Sequence, residues 1–139
     1  MTARGFSPTV LLRSEESGAA VAIVENEAAP RWVGPPMHRH DFDEGFYVIE
    51  GELVFAVDGA LSTAVAGQFA FAPRGSAHTL ANHSDRPARY LLVCTPAGFE
   101  RYFARVQAEL DGKEVPPWAQ APIPPVTTLG PPLAVPAES

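Results

Sequence analysis

The sequence has little cysteine and little lysine, and both shortages limit what the protein can be. Cys94 is the only cysteine among 139 residues, so an intrachain disulfide and a cysteine-based zinc site are both excluded. This cysteine lies in an apolar run, where we expect a buried and inert thiol. Lys113 is the only lysine, and the arginines are scattered without forming a basic block. With a formal net charge of −6, this distribution argues against nucleic acid or an anionic membrane surface as a partner.

Long hydrophobic runs are also missing. No stretch is long enough to cross a bilayer, and the first residues contain no apolar segment of the kind found in secretory leaders. We therefore expect a cytoplasmic protein. A chain of 139 residues, 46% of them apolar, can build one core but not two, which predicts a single domain.

Short apolar runs separated by turn residues fill most of the chain before residue 95 and predict strands. Asp58 and Gly59 lie between two such runs, as in a β-hairpin. Many short strands with almost no helix between them are typical of an antiparallel sandwich or barrel. Several runs are apolar at consecutive positions, so we expect both faces of these strands to be buried. The facing sheet would cover one face, and the second subunit of a homodimer would cover the other. The predicted strands are residues 9–12, 19–24, 45–50, 52–57, 61–65, 68–72, 78–82 and 89–94.

One helix is predicted over residues 96–110. Thr95 suits its N-cap and Pro96 suits its first position. An apolar stripe at helical spacing predicts that this helix docks on the barrel. The residues of the stripe are Phe99, Phe103, Val106 and Leu110.

Proline becomes frequent after this helix. We therefore divide the chain into a barrel with its C-terminal helix, residues 1–112, and an extended proline-rich tail, residues 113–139. Such a tail either wraps the barrel or its neighbour or is loose, and the apolar residues within it favour wrapping for part of its length.

A segment with two histidines and one glutamate carries the first chemical signal. Side chains alternate along an extended strand, so His38 and His40 point to the same face and can share one cation. Glu44 has the same parity, yet four extended residues span about 13 Å at roughly 3.3 Å each. The ligands of one metal sit only about 2 Å from it. The chain must therefore turn at residues 41–43, where aspartates suit a turn.

A second segment supplies a third histidine. Residues 72–75 predict a type I turn, with proline second and glycine fourth. His78 opens the strand that follows, and Leu80 and Asn82 share its face. A third imidazole from a separate hairpin completes a compact set of metal-binding groups.

These two segments resemble the two motifs of the cupin superfamily, G-x5-H-x-H-x3,4-E-x6-G and G-x5-P-x-G-x2-H-x3-N. The second motif is matched at every defined position, and the first departs only at its leading glycine, because Gly34 lies too close to His38. The ending of the chain resembles, more weakly, small bacterial cupins related to quercetin dioxygenases. The matched residues are His38, His40, Glu44, Gly51, Gly67, Pro73, Gly75, His78 and Asn82.

The resemblance implies an all-β jelly-roll barrel, the double-stranded β-helix, with one divalent transition metal held by His38, His40, Glu44 and His78. Iron, manganese, nickel, copper, cobalt and zinc all suit this nitrogen and oxygen set, and the sequence does not select among them. The resemblance also implies a metal-dependent dioxygenase-type oxidoreductase that acts on a small enolisable, hydroxy-keto or aromatic substrate, with Glu44 as catalytic base. A metal-dependent isomerase, lyase or cyclase and a non-enzymatic small-molecule-binding protein remain alternatives.

Parity along the strands also predicts residues around the metal. Phe46, Val48 and Leu80 share parity with the ligands and are expected to form the apolar wall of the substrate pocket. His83 has the opposite parity to His78 and is expected in a solvated loop. Asn82 either binds neighbouring backbone or orients a ligand, and parity does not separate these roles.

Overall fold

The computed structural model describes residues 5–134. Within this range the secondary structure is mainly β. The strands are β1 (Phe6–Leu12), β2 (Ala22–Ala28), β3 (Met37–His40), β4 (Asp43–Glu50), β5 (Glu52–Val57), β6 (Ala60–Val65), β7 (Phe69–Ala72), β8 (His78–Ala81), β9 (Ala88–Thr95) and β10 (Val126–Gly130). The helices are α1 (Ser14–Ser17), α2 (Glu100–Asp111) and a 3-10 helix (Pro117–Gln120).

The strands form two five-stranded antiparallel sheets, which confirms the predicted all-β jelly-roll. One sheet has the order β1-β2-β9-β4-β7 and is called the β4 sheet below. The other has the order β10-β3-β8-β5-β6 and is called the β3 sheet. Phe46 of the β4 sheet contacts Phe55 of the β3 sheet, with ring centroids 5.1 Å apart, so the inner faces pack on one another.

The core follows from the alternation of side chains along these strands. Tyr90, Leu92 and Cys94 of β9 are buried, and the residues between them are half-buried on the outer face. Val24 of β2 and Leu53 of β5 are completely buried. Full burial of each large aliphatic side chain contributes about 1.5–3 kcal/mol relative to exposure.

Helix α2 begins later than its sequence predicts. The predicted start at Pro96 with Thr95 as N-cap is wrong, because the helix begins at Glu100 with Phe99 as N-cap. Gly98 has a φ of 145°, which lies outside the helical region and stops a helix from extending back through it. The bond between Thr95 and Pro96 is cis. The apolar stripe docks as expected, and Phe103 meets Phe6 of β1 edge to face at 6.2 Å.

The chain after α2 packs back against the helix. The Arg105 guanidinium donates hydrogen bonds of 2.8 Å to the carbonyl oxygens of Ala119 and Ala121. The Arg13 guanidinium lies 5.0 Å from the centre of the Trp118 ring, within range of a cation–π contact. These contacts bring the 3-10 helix alongside the barrel.

Strand β10 then joins the β3 sheet at its edge. Val126 lies opposite His40 and Thr128 lies opposite His38 in an antiparallel pair. The structure therefore shows wrapping for this part of the tail, although the boundary between residues 112 and 113 stays a prediction. Among the helices of the described residues, none has the length and apolar character needed to span a membrane.

Candidate metal centre

The four predicted ligands come together where the two sheets face each other at one end of the barrel. His38 and His40 lie on β3, Glu44 lies at the start of β4, and His78 is the first residue of β8. One ligand atom from each residue lies within 4.8 Å of the others. His38 is half-buried, whereas the other three are buried. Separate hairpins thus place four metal-binding groups around one point.

Backbone pairing and one bend produce this convergence. His38 lies directly opposite His78 in the pair of β3 and β8. The chain bends at Asp41 and Phe42, as the spacing to Glu44 requires. Phe42 is 2% exposed, and its ring stacks on the His40 imidazole with centroids 3.6 Å apart. The buried phenyl ring therefore fixes both the bend and the plane of one ligand.

The three imidazoles are oriented by the same kind of hydrogen bond. His38 Nδ1 lies 2.7 Å from the Pro36 carbonyl oxygen, and His40 Nδ1 lies 2.9 Å from that of Phe42. His78 Nδ1 lies 3.0 Å from the Ser76 carbonyl oxygen. A carbonyl oxygen only accepts, so each Nδ1 carries a proton, and each Nε2 is the ring atom that can give its lone pair to a metal ion once it has lost any proton of its own. Backbone partners of this kind commonly orient histidines that bind metals.

Glu44 faces two of these Nε2 atoms. Its Oε1 pairs with His40 Nε2 and lies 3.2 Å from His78 Nε2. Burial alone would raise the pKa of the Glu44 carboxyl, but the hydrogen bonds with His40 and His78 outweigh it and lower this pKa from 4.5 to about 2. Glu44 is therefore an anion at neutral pH.

The pKa values of His38 and His78 shift in opposite directions. Burial lowers the pKa of His38 below its ordinary value of 6.5. Burial also acts to lower the pKa of His78, but the Glu44 carboxylate outweighs it and raises this pKa. A neutral His38 is the form that binds a metal ion.

The donor set fits a divalent transition metal. Three Nε2 lone pairs and one carboxylate oxygen converge, and a single cation can satisfy all four at once. His38, Glu44 and His78 also border an open cavity, which leaves the ion accessible from that side. The four residues therefore form a potential metal-binding site, and nothing in the geometry selects the metal.

The cavity beside this cluster has a volume of about 610 Å³. Its lining is largely apolar and aromatic, and no Lys or Arg of the described residues contributes to it. Phe46 and Leu80, two of the predicted wall residues, line it. Val48, the third, is completely buried and lies outside the lining.

Several aromatic residues of this cavity were not predicted from the sequence. Phe99 and Tyr102 of the α2 region line it, as does Tyr90 of β9. The helical spacing of Phe99 indicated docking, and in the structure its ring also stacks near His40, with centroids 6.3 Å apart. Val126 of β10 also lines the cavity, and no local sequence pattern predicts this. The tail reaches the site only because β10 pairs with the distant strand β3.

Other polar residues near the motifs have structural roles. The Asn82 amide donates to the carbonyl oxygens of Ala29 (3.0 Å) and Arg86 (2.7 Å), and its Oδ1 accepts from Ser84. Asn82 thus binds the neighbouring backbone, which is the first of the two roles considered for it. His83 is half-buried in the adjacent loop.

The loop before β8 differs in detail from its prediction. The Ser76 amide donates to the Pro73 carbonyl oxygen at 3.0 Å, so the turn covers residues 73–76 and the predicted type I turn at 72–75 is wrong by one position. Gly75 has a φ of 81°, which the third residue of a type II turn requires. Asp43 accepts a 2.8 Å hydrogen bond from the Arg74 amide, which ties this loop to β4.

Comparison with known proteins agrees with the fold and the site. The family model described as a cupin domain matches residues 25–94, half of the chain, and includes all four ligands. The chain belongs to the cupin family. The cupin motifs predicted from spacing are thereby confirmed, and cupins bind small molecules.

Solved cupin-like structures share this architecture. The Clostridium difficile EutQ protein is 26% identical, with a TM-score of 0.55 over 69% of this chain and 66% of that protein. A predicted oxalate decarboxylase from Thermotoga maritima is 22% identical, with a TM-score of 0.62 over 66% of this chain and 80% of that protein. The second likeness concerns the fold alone.

One curated relative has a longer chain. An endoribonuclease YbeY of Myxococcus xanthus (strain DK1622) is 32% identical in an alignment of 85 residues that covers 58% of this cupin and 29% of that protein. This cupin therefore spans less than a third of that relative's length and slightly less than two thirds of the EutQ protein.

Proposed function

We propose that this cupin is a metal-dependent dioxygenase-type oxidoreductase that acts on a small enolisable, hydroxy-keto or aromatic substrate. The observation that carries the proposal is the apolar cavity of about 610 Å³ that opens directly on the His–Glu cluster. Such a cavity favours a ligand with an apolar body and one oxygen function that reaches the ion.

The charges around the cavity support this substrate class. Three neutral imidazoles and one carboxylate leave a divalent ion with about one positive charge. Within residues 5–134 no Lys or Arg lines the cavity, so a bound ion would be the main cationic group available to an oxyanion there. An enolate, which carries its single negative charge on the chelating oxygens, suits this arrangement better than a ligand with several separated anionic groups.

Glu44 is the residue placed to move a proton. A bound divalent ion would supply Lewis acidity that makes an enol or hydroxyl proton of the substrate easier to remove. The Glu44 carboxylate borders both the cluster and the cavity, so it can accept that proton when it leaves the ion during turnover. Phe46 and Leu80 hold the apolar body of the substrate and exclude water from this end.

The proposal predicts oxygen-dependent turnover. Protein loaded separately with iron, manganese, nickel, copper or cobalt should consume O2 with at least one member of a panel of enediols, flavonols and β-diketones, as an oxygen electrode would record. His83→Ala, which removes a histidine outside the cluster, should retain this activity, whereas His40→Ala should lose it. Equal turnover under argon would favour an isomerase, lyase or cyclase, and no turnover with any metal would contradict the proposal.

An RNA substrate has little support from this chain. The endoribonuclease name belongs to a relative of which the match covers 29%. The net charge here is −6, whereas proteins that bind nucleic acid present a basic surface. We therefore propose a small molecule as the substrate.

We also propose that this cupin forms a homodimer through the outer face of the β4 sheet. Phe69 lies opposite Tyr47, and Tyr47 lies opposite Leu91 on the next strand, so apolar residues form a continuous row. Phe69 is 57% exposed, Phe71 is 53% exposed and Tyr47 is 41% exposed. Aromatic side chains grouped on one sheet face suit a self-complementary interface between two copies.

A charged residue in this face should separate the two copies. We expect the unchanged protein to sediment at twice its 14.8 kDa chain mass and Phe71→Glu to sediment as a monomer, because the interface would bury an unpaired carboxylate. Leu61→Glu is the matched control, since Leu61 is 70% exposed on the edge of the other sheet. Analytical ultracentrifugation distinguishes these results, and a monomeric unchanged protein would refute the dimer.

A further inference from the structure

The cavity lining includes a tyrosine of β9 that is separated along the strand from the metal-binding cluster. Tyr90 lines the cavity, and on β9 it lies four residues before Cys94, the residue that pairs with Glu44. Four extended residues correspond to about 13 Å along the strand. Along the paired strands β4 and β9, Phe46 and Leu92 therefore lie between Glu44 and Tyr90.

Asn26 lies behind Tyr90 and is an unusual residue for its position. It faces Tyr90 across the pair of β2 and β9 and is 1% exposed. The Tyr90 hydroxyl approaches its amide. Even so, both the nitrogen and the oxygen of this amide lack a hydrogen bond of good geometry among residues 5–134. Buried amides are normally satisfied, so this one is a departure that needs a reason.

The residues around Asn26 are apolar, which makes a buried amide at this position more unusual. Val24 precedes Asn26 on the same inner face of β2, and Val48 lies opposite Tyr90 on β4, and both valines are completely buried. A leucine has the same number and branching of side-chain heavy atoms as Asn26 and no polar atoms, so it would suit these neighbours. An amide without a well-formed hydrogen bond is less favourable there, and its presence points to a role other than packing.

The Tyr90 hydroxyl can form a hydrogen bond with the Asn26 amide and a second one with a ligand. Burial and the Glu44 carboxylate raise the pKa of the Tyr90 hydroxyl above its ordinary value, so it stays protonated. A protonated hydroxyl both donates and accepts hydrogen bonds. The Asn26 amide can take up one of these roles and leave the other directed into the cavity.

We propose that the Tyr90 hydroxyl, positioned by the Asn26 amide, binds a hydroxyl or carbonyl group on the part of the substrate farthest from the metal. The substrate would then have a chelating oxygen function at one end, an apolar or aromatic body, and a polar substituent at the other end. Tyr90 is a binding residue in this arrangement, and Asn26 is a positioning residue. The inference rests on the proposed function, since it assumes that a chelating substrate fills this cavity.

Two flavonols make a matched pair of probes. 3-Hydroxyflavone and 3,4′-dihydroxyflavone share the same hydroxy-keto chelating unit and differ by one hydroxyl on the remote ring. Their absorption shifts on chelation, so a titration of zinc-loaded protein gives both dissociation constants without turnover. We expect the dihydroxy compound to bind about tenfold more tightly, as one additional buried hydrogen bond allows.

Substitutions then assign this preference to residues. Asn26→Leu and Tyr90→Phe should each reduce this ratio of affinities to less than about twofold, whereas Tyr47→Phe, which removes a hydroxyl outside the cavity lining, should retain it. Asn26→Leu should also raise the thermal midpoint, because it removes an unsatisfied buried amide.

Each remaining result overturns the inference. A preference that survives both substitutions excludes the Tyr90 subsite, and a lower thermal midpoint for Asn26→Leu shows that the amide serves the fold instead. Binding of both flavonols with equal affinity contradicts the subsite and leaves the proposed function standing. Binding of neither flavonol by zinc-loaded protein contradicts the proposed substrate class and the subsite together.

Discussion

His78→Ala should lower the affinity for zinc or cobalt by about a thousandfold, because it removes one of the four proposed ligands. Loss of a hydrogen-bonding partner behind a ligand typically costs about ten- to a hundredfold in metal affinity, and loss of the ligand itself should cost more. His78 is 2% exposed, and its Nε2 lies 3.2 Å from the Glu44 carboxylate. Competition with a chromophoric chelator measures this change directly.

The control for this prediction is another histidine. His83 is absent from the cluster and lies in the loop after β8, so His83→Ala should leave the affinity within about twofold of its original value. If His78→Ala and His83→Ala bound zinc equally well, the cluster would not be the metal site. Circular dichroism of both variants separates a lost ligand from a lost fold.

The second large effect concerns stability, and it comes from Glu100. This glutamate is completely buried, and its Oε2 accepts hydrogen bonds from the Ser14 amide (2.6 Å) and the Ser14 hydroxyl (2.7 Å). Its Oε1 accepts a 2.6 Å hydrogen bond from the Gly98 amide. One carboxylate thus joins the start of α2 to the start of α1 and to the turn before α2.

Glu100→Ala should lower the free energy of unfolding by about 3–5 kcal/mol, because two buried backbone amides and one hydroxyl lose their acceptor. Urea denaturation followed by fluorescence measures this change. Glu114→Ala is the control, since Glu114 is exposed after α2, and its effect should stay within about 0.5 kcal/mol. Equal midpoints for the two variants would show that the Glu100 hydrogen bonds contribute little.

The sequence predicted those parts of the site that depend on local spacing. His38, His40 and Glu44 lie within seven positions of each other, and strand alternation plus one bend is enough to bring them together. Most strands were recognisable for the same reason, because their apolar runs are bounded by turn residues. The cupin motifs then brought in His78 from a different hairpin.

The remaining features depend on contacts between distant segments. The start of α2 depends on the backbone conformation of Gly98. A glycine can adopt this conformation, but the presence of a glycine does not predict it. Phe42 was expected only in a turn, yet its ring packs against His40. The pairing of Asn26 with Tyr90 is set by the register of two strands far apart in the chain, which no periodicity reveals.

Strand β10 has a consequence for how the site is made during protein synthesis. It pairs with β3 and lies opposite both His38 and His40, and Val126 also closes one wall of the cavity. While a ribosome is still translating the tail, the histidine strand has a free edge and the cavity is open along that side. We therefore expect the proposed metal site to reach its final geometry only after residues 126–130 have left the exit tunnel and paired with β3.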